Sequence, residues 1–337
     1  MKKTLLIVLI IAMAMGTVFA QGTKEDASAK GKEIVILGKS MGNGFFDACF
    51  KGSEEAAAEI GGIKTTYMAP PQATAEGQIE IIETLIAQRV DGIAISANDA
   101  DALISVAKKA MAAGIKVISF DSGINAGGRM VDLLPSNAEL IGRQQIQLAA
   151  ELTNYTGEVA VLSASAQATN QNLWIDWMKK EITDAKYSKM KLVEVVYGDD
   201  APDKSYREAV SLMKKYPKLK AIICPTTVGL LATAQAVKDA GKVGVVEVTG
   251  LGLPSEMKGY ILDDTCRQMA LWNPIDLGYT STYILNALIE GTTKANVGDV
   301  IPAGRMKSVK VVDNGLIYMS TPYVFNKGNI EQYAAIF

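Results

Sequence analysis

Histidine is absent from the 337 residues, which rules out Ser-His and Cys-His nucleophiles and imidazole-held metals. Three cysteines, Cys49, Cys224 and Cys266, are too few and too scattered for a structural zinc site or a disulfide framework. The residues left with site chemistry are ones that bind. They are Lys39 and Asp121, the amides Asn98, Asn170, Gln171 and Asn273, Thr226 and Thr227 beside Pro225, and the aromatics Phe45, Phe46 and Trp272. A carboxylate such as Asp121 is the natural acceptor for adjacent hydroxyls, in charge-assisted bonds of about 1.5–3 kcal/mol. Amides offer donors and acceptors together, and aromatic rings cover an apolar ligand face. The set suits a hydroxyl-rich small molecule and calls for no cofactor or metal.

Each of these residues also has a plainer use. Asp121 can cap a turn, and Asn170 and Gln171 can cap a helix beginning near 173. Phe45, Phe46 and Trp272 can be core, with Trp272 at a hinge. Two look-alike motifs fail on spacing. Gly38-Lys39-Ser40 resembles the end of a phosphate-binding loop, but the required earlier glycine falls at Glu33. Asn98, Asp99 and Asp101 lack the glycine and terminal glutamate of a calcium loop, so a helix cap is the better account.

The elements that must position these residues alternate regularly. The run 34–37 is apolar and β-branched and breaks into Gly38, Gly42 and Gly44; these glycines place Phe45-Phe46 in a loop at the ligand edge, and a helical pattern follows over 47–60. Strands follow at 63–67, 92–96 and 116–120, with helices at 75–88 and 102–113. The same alternation returns from 137 to 272: helices at 137–155, 173–185, 205–215 and 229–239, and strands at 158–163, 192–197, 221–224 and 245–249. Short connections between alternating units predict parallel, doubly wound sheets. Ligands of such sheets bind beyond the carboxyl ends of the strands, where the polar candidates lie. Two similar halves imply two lobes with a shared cleft.

With 49% hydrophobic residues, the chain can build a core in each lobe. The net charge of -2 gives no reason to expect nucleic acid or an anionic membrane as partner. Residues 1–20 have the three parts of a cleaved export signal: Lys2-Lys3, an apolar run over 5–15, and Val18-Phe19-Ala20. No cysteine follows for lipid attachment, and 21–32 reads as a flexible lead-in. The late segments 275–290, 308–312 and 317–319 are too little for a third domain and are assigned as returns to the lobes. The expected division is 33–134 plus 273–300 against 135–272 plus 301–337, with hinge crossings near Pro135, Trp272 and Ile301.

The ordered set Ile118-Ser-Phe-Asp-Ser, Ala168-Thr-Asn-Gln-Asn-Leu-Trp-Ile-Asp, Cys224-Pro-Thr-Thr-Val-Gly, Val248-Thr-Gly-Leu-Gly-Leu-Pro-Ser-Glu-Met and Leu271-Trp-Asn-Pro-Ile-Asp-Leu-Gly-Tyr resembles the periplasmic sugar-binding proteins of ABC transporters. Within them it is most similar to the rhamnose-binding proteins, with the autoinducer-2 receptors as the neighbouring branch. The likeness covers nearly the whole chain beyond residue 32. It implies a type I periplasmic-binding fold, an α/β fold of two lobes that close on one monosaccharide. The autoinducer-2 branch binds through a lysine, an aspartate, an Asp-Gln pair, a proline and an alanine, positions held here by Lys39, Asp121, Asn170 with Gln171, Pro225 and Thr227. The change to Asn170 alters the cleft's charge and Thr227 adds a hydroxyl, which favours the rhamnose branch. Ribose-type proteins carry an Asn-Asp pair where Thr226-Thr227 stand and an aspartate at Gly252, so ribose fits less well.

The expected function is therefore a non-enzymatic extracytoplasmic receptor, monomeric by default, that captures L-rhamnose or a similar sugar and delivers it to a membrane permease. A repressor core shares this fold but carries an N-terminal helix-turn-helix, where this chain has an export signal. A secreted sugar-processing enzyme without histidine needs two carboxylates flanking its substrate; Asp121 is the one acid the sequence places in the cleft.

Overall fold

The computed structural model describes residues 31–337; the expected export signal and most of the lead-in lie outside them. The first lobe opens with β1 (Lys32–Leu37), α1 (Gly44–Ile60), β2 (Ile63–Met68), α2 (Ala75–Gln88), β3 (Gly92–Ile95), α3 (Ile104–Ala112), β4 (Lys116–Phe120) and β5 (Asp132–Leu134). The second lobe continues with α4 (Ala138–Leu152), β6 (Gly157–Ser163), α5 (Thr169–Glu181), β7 (Met190–Tyr197), α6 (Pro202–Lys215), β8 (Leu219–Cys224), α7 (Thr227–Asp239), β9 (Glu247–Gly250), α8 (Pro254–Leu262) and β10 (Gln268–Leu271). Then α9 (Pro274–Ile289), β11 (Val300–Pro302), β12 (Ser308–Lys310) and β13 (Leu316–Tyr318) return to the first lobe, and β14 (Tyr323–Asn326) and α10 (Ile330–Ala334) to the second.

The first sheet runs β13-β5-β4-β3-β1-β2 and the second β7-β6-β8-β9. Within both sheets every pairing is parallel. Strands covered on both faces by crossover helices read as unbroken apolar runs, as Ile34 to Leu37 and β3 do, and all of these residues are buried. Each sheet has the 2-1-3-4 order in which the winding direction reverses beside the first strand. The two crevices this creates lie beyond β1 and β3 in one lobe and beyond β6 and β8 in the other.

Among the described residues the crossings between lobes are three, and the third differs from expectation. They lie between Leu134 and Ala138, between Leu271 and Pro274, and between Tyr318 and Tyr323, so residues 301–318 belong with the first lobe. The reason is edge pairing: β13 adds to β5 in register Leu316 to Asp132, Ile317 to Leu133 and Tyr318 to Leu134, covering an otherwise open strand. Ile317 is fully buried there. Past this edge, the Met319 and Ser320 amides donate to the carbonyls of Leu134 and Pro135, so two crossings run side by side. These short strands have too few residues for a period-2 signal, which is why the sequence places the crossing near Ile301.

The tightest helix contact is between α1 and α9. An added Cβ at Gly52 would stand 1.8 Å from the Ile275 carbonyl oxygen, and one at Gly278 would stand 1.8 Å from that of Cys49. The two helices touch backbone to backbone. This contact seats the start of α1 against the residues that follow β10.

Candidate functional site

The strand ends of both lobes meet at one cavity of about 370 Å3 of empty space, part of it open to solvent. It is lined by Lys39, Phe45, Phe46, Asp121, Asn170, Gln171, Pro225, Thr226, Thr227 and Trp272, ten of the twelve candidates. Asn98 and Asn273 do not line it. The Asn98 side chain donates to the carbonyls of Lys39 (2.9 Å) and Thr74 (3.0 Å), so it supports the loop that carries Lys39. Asn273 caps α9, accepting from Ile275 N at 2.9 Å and donating to Asp276 at 2.8 Å. Both amides are spent on backbone and neighbouring side chains.

In the first lobe the loop after β1 is tied down by Gln78 of α2. Its Nε2 donates to the carbonyls of Gly38 (2.9 Å) and Ser96 (2.8 Å), and its Oε1 accepts from Asn98 N (2.9 Å). Gln78 is fully buried, and it joins the ends of β1 and β3 at the crevice. Gln78→Leu leaves three buried backbone groups without partners, and the protein is expected to lose about 2 kcal/mol of stability. The lowered urea midpoint would measure this.

Phe45 and Phe46 stand in the first turn of α1, not in a loop: Asn43 caps the helix by accepting from Phe45 N at 3.1 Å. Phe46 meets Phe120 edge to face at 6.2 Å, and Phe45 meets Trp272 the same way at 6.1 Å. Trp272 in turn meets Trp174 at 5.8 Å. The aromatics are therefore core and cavity wall at once. Trp272 is 3% exposed and its Nε1 donor has no partner among the described residues, an arrangement a ligand acceptor would satisfy.

Asp121 follows β4 in the left-handed region, at φ 61°, a conformation a non-glycine residue adopts at some cost. Ser96 Oγ donates to its Oδ2 at 2.8 Å, while Oδ1 has no donor among the described residues. Burial pushes its carboxyl above the ordinary value, against the pull of Lys39 and of the Ser96 bond. Lys39 is 4% exposed. Burial lowers its pKa, opposed by the charges of Asp121 and Asp200.

The second lobe answers across the cleft. Asn170 and Gln171 lie in the first turn of α5, whose cap position is Ala168, so neither is the cap expected from the sequence. Asn170 Oδ1 accepts from Lys39 Nζ at 3.0 Å, its Nδ2 donates to the Asp121 carbonyl oxygen and Oδ2, both at 3.5 Å, and Thr227 Oγ1 donates to Asn43 Oδ1 at 3.3 Å, bonds that span the lobes. Gln171 Oε1 accepts from Ser163 Oγ and Ala164 N, at 2.6 and 2.8 Å. Its amide nitrogen has no partner among the described residues.

Sequence reasoning missed Asn43, Trp174 and Asp200, which also line the cavity. Trp174 sits inside a quoted motif, and Asn43 lies among the glycines that mark the loop. Asp200 lies just beyond β7, so the strand-end rule that found Asp121 would have found it too.

Residues 34–293 match the periplasmic binding protein domain, and the chain belongs to that family. An ABC transporter solute-binding protein from Clostridium phytofermentas, solved with bound L-rhamnose, is 37% identical; it aligns over 91% of this chain and 99% of its own, with a TM-score of 0.87. The D-allose-binding periplasmic protein of Escherichia coli is 26% identical over 90% of this chain and 96% of its own length. LsrB from Clostridium saccharobutylicum, solved with AI-2, has a TM-score of 0.85 over 89% of this chain and 99% of its own. At 23% identity it shares the fold.

Proposed function

We propose that this chain is the extracytoplasmic receptor of an ABC transporter, which takes L-rhamnose or a similar neutral monosaccharide between its lobes and presents it to a membrane permease. The carrying observation is a cavity walled by aromatics in which polar groups have no partner among the described residues: Asp121 Oδ1 in the first lobe, the Gln171 side-chain amide in the second and Trp272 Nε1 at the crossing between them. A ring bearing hydroxyls satisfies all three, and closure is then favoured because only the closed form offers both sets. The likeness to the L-rhamnose-bound protein supports the choice of sugar. The site holds its guest without making or breaking a bond. Residues 1–20 supply the export signal in this reading, and the receptor works as a monomer.

Micromolar affinity requires about 8 kcal/mol net, within reach of several charge-assisted bonds and apolar burial. Calorimetry against L-rhamnose, other monosaccharides and autoinducer-2 tests the reading. Saturable heat with L-rhamnose at one site is expected. Strong heat with autoinducer-2 and none with L-rhamnose would reverse the assignment, against the amide at Asn170 and the hydroxyl at Thr227.

Affinity should depend on pH with a definite sign. Hydroxyl donors favour the ionised form of Asp121, whereas in the free site burial raises its pKa. Protonation therefore competes with the sugar, and the association constant should fall on acidification, beginning above the ordinary carboxylate range. An affinity flat from pH 7 to about pH 4 would contradict a role for ionised Asp121.

A further inference from the structure

A second carboxylate reaches the cavity from the other lobe. After β7 the chain turns through Asp199 and Asp200, both left-handed at φ 55° and 49°. The turn sends their side chains to different ends. Asp199 pairs with Lys204 on the exterior, while Asp200 lines the cavity. Thr226 fixes it there: its Oγ1 accepts from Gly229 N as the cap of α7, so its proton is free to go to Asp200 Oδ1, 2.5 Å away. The other oxygen of Asp200 has no donor among the described residues.

The charges around the cavity are then unequal, because among the described residues Lys39 is the one cation lining it and Asp121 and Asp200 are both acids. Lys39 already gives one of its bonds to Asn170. The indole donor of Trp272, 3% exposed and without a partner among the described residues, is a separate sign of a polar group that a ligand would satisfy here. Burial raises the Asp200 pKa, with the Thr226 bond and Lys39 acting against it.

We propose that Asp200 is a ligand-contacting, specificity-determining residue: its free carboxylate oxygen accepts a hydroxyl proton of the sugar from the second lobe, as Asp121 does from the first. With both carboxylates present, the site favours neutral polyhydroxylated rings and turns away sugar acids. This rests on the reading of the chain as a sugar receptor. In this reading both carboxylates act as acceptors of ligand hydroxyls, one from each lobe.

Calorimetric titration of wild type, Asp200→Asn and Thr226→Val with L-rhamnose, its monodeoxy analogues and D-galacturonate separates the possibilities. Asp200→Asn keeps the shape and removes the charge, and it should bind L-rhamnose about ten- to a hundredfold more weakly with an unchanged melting temperature in the absence of sugar. Thr226→Val keeps the carboxylate but frees it to rotate, and should lose about three- to tenfold. One monodeoxy analogue should be weakened on wild type and no further on Asp200→Asn, the signature of a direct contact. D-Galacturonate should give no heat with wild type. Equal L-rhamnose affinity in Asp200→Asn and wild type, or galacturonate bound as tightly as a neutral sugar, would overturn the proposal. Silence of wild type toward every neutral sugar would instead defeat the receptor reading, and this inference with it.

Discussion

Asp121→Ala is expected to abolish sugar binding while leaving the fold intact. Asp121 lines the cavity with Oδ1 lacking a donor among the described residues, and an ionised acceptor serving two adjacent hydroxyls contributes about 3–6 kcal/mol, a loss on the order of a hundred- to ten-thousandfold in affinity. The stability side points the other way. Burial already disfavours the charged carboxyl, so removing it relieves a cost, while it forfeits the Ser96 bond, the longer Asn170 bond at 3.5 Å and the charge that faces Lys39. Alanine inherits the left-handed backbone at φ 61°, which adds about 1 kcal/mol of strain. These contributions nearly cancel, and the melting temperature without sugar should move by no more than a few degrees. Asp121→Asn retains an acceptor and tolerates the backbone, so it should fall between wild type and alanine in affinity. Normal binding by the alanine variant would mean that the cleft is not the site.

Gly52→Ala should be among the most damaging single-methyl additions in the chain. Alanine is ordinarily the better helix former by about 1 kcal/mol, yet here the new methyl would meet the Ile275 carbonyl oxygen at 1.8 Å. A backbone atom within a packed helix pair cannot swing aside, so α1 and α9 must separate. The expected loss is about 3 kcal/mol or more, a fall of roughly 5 °C or more in melting temperature. Gly278→Ala, facing the Cys49 carbonyl at the same distance, should behave alike. Gly259→Ala is the control: it lies in α8 with nothing within 4 Å of the added atom, and should raise stability by about 0.5–1 kcal/mol. Separation of α1 from α9 also shifts Phe45 against Trp272, whose rings lie 6.1 Å apart. Sugar affinity should therefore drop with stability at Gly52 and stay unchanged at Gly259.

Much of this architecture was legible in the chain because parallel sheets write themselves plainly. Runs such as Ile34 to Leu37 are apolar throughout, their helices carry a 3.6-residue period, and the polar residue ending each strand falls at the ligand edge by topology alone. That is how Asp121 and Thr226 were found. What escaped was set by contacts distant in sequence. The third crossing depends on β13 finding the open edge of β5, a pairing of three residues with no local pattern. Asn98 and Asn273 have the right chemistry and sit at strand ends, yet their amides are consumed by Thr74 and Lys39 in one case and by the α9 cap in the other. Gln78 lies within the helix expected at 75–88 with nothing local to mark it; its work at the crevice follows from where α2 crosses the sheet.

The aromatics show how one residue answers both readings. Phe45 and Trp272 are as buried as core, at 5% and 3% exposed, and they also wall the cavity. A rigid wall of this kind, held by edge-to-face contacts and by the Gly52 and Gly278 approach, keeps the ring-facing surface in place.

The most direct test is a crystal structure of the protein grown with L-rhamnose. The account predicts one ring between the lobes, against Phe45 and Trp272, with Asp121 within hydrogen-bond distance of two adjacent hydroxyls and Gln171 donating from the opposite side. A sugar bound elsewhere, or Asp121 and Gln171 turned away from it, would contradict the account.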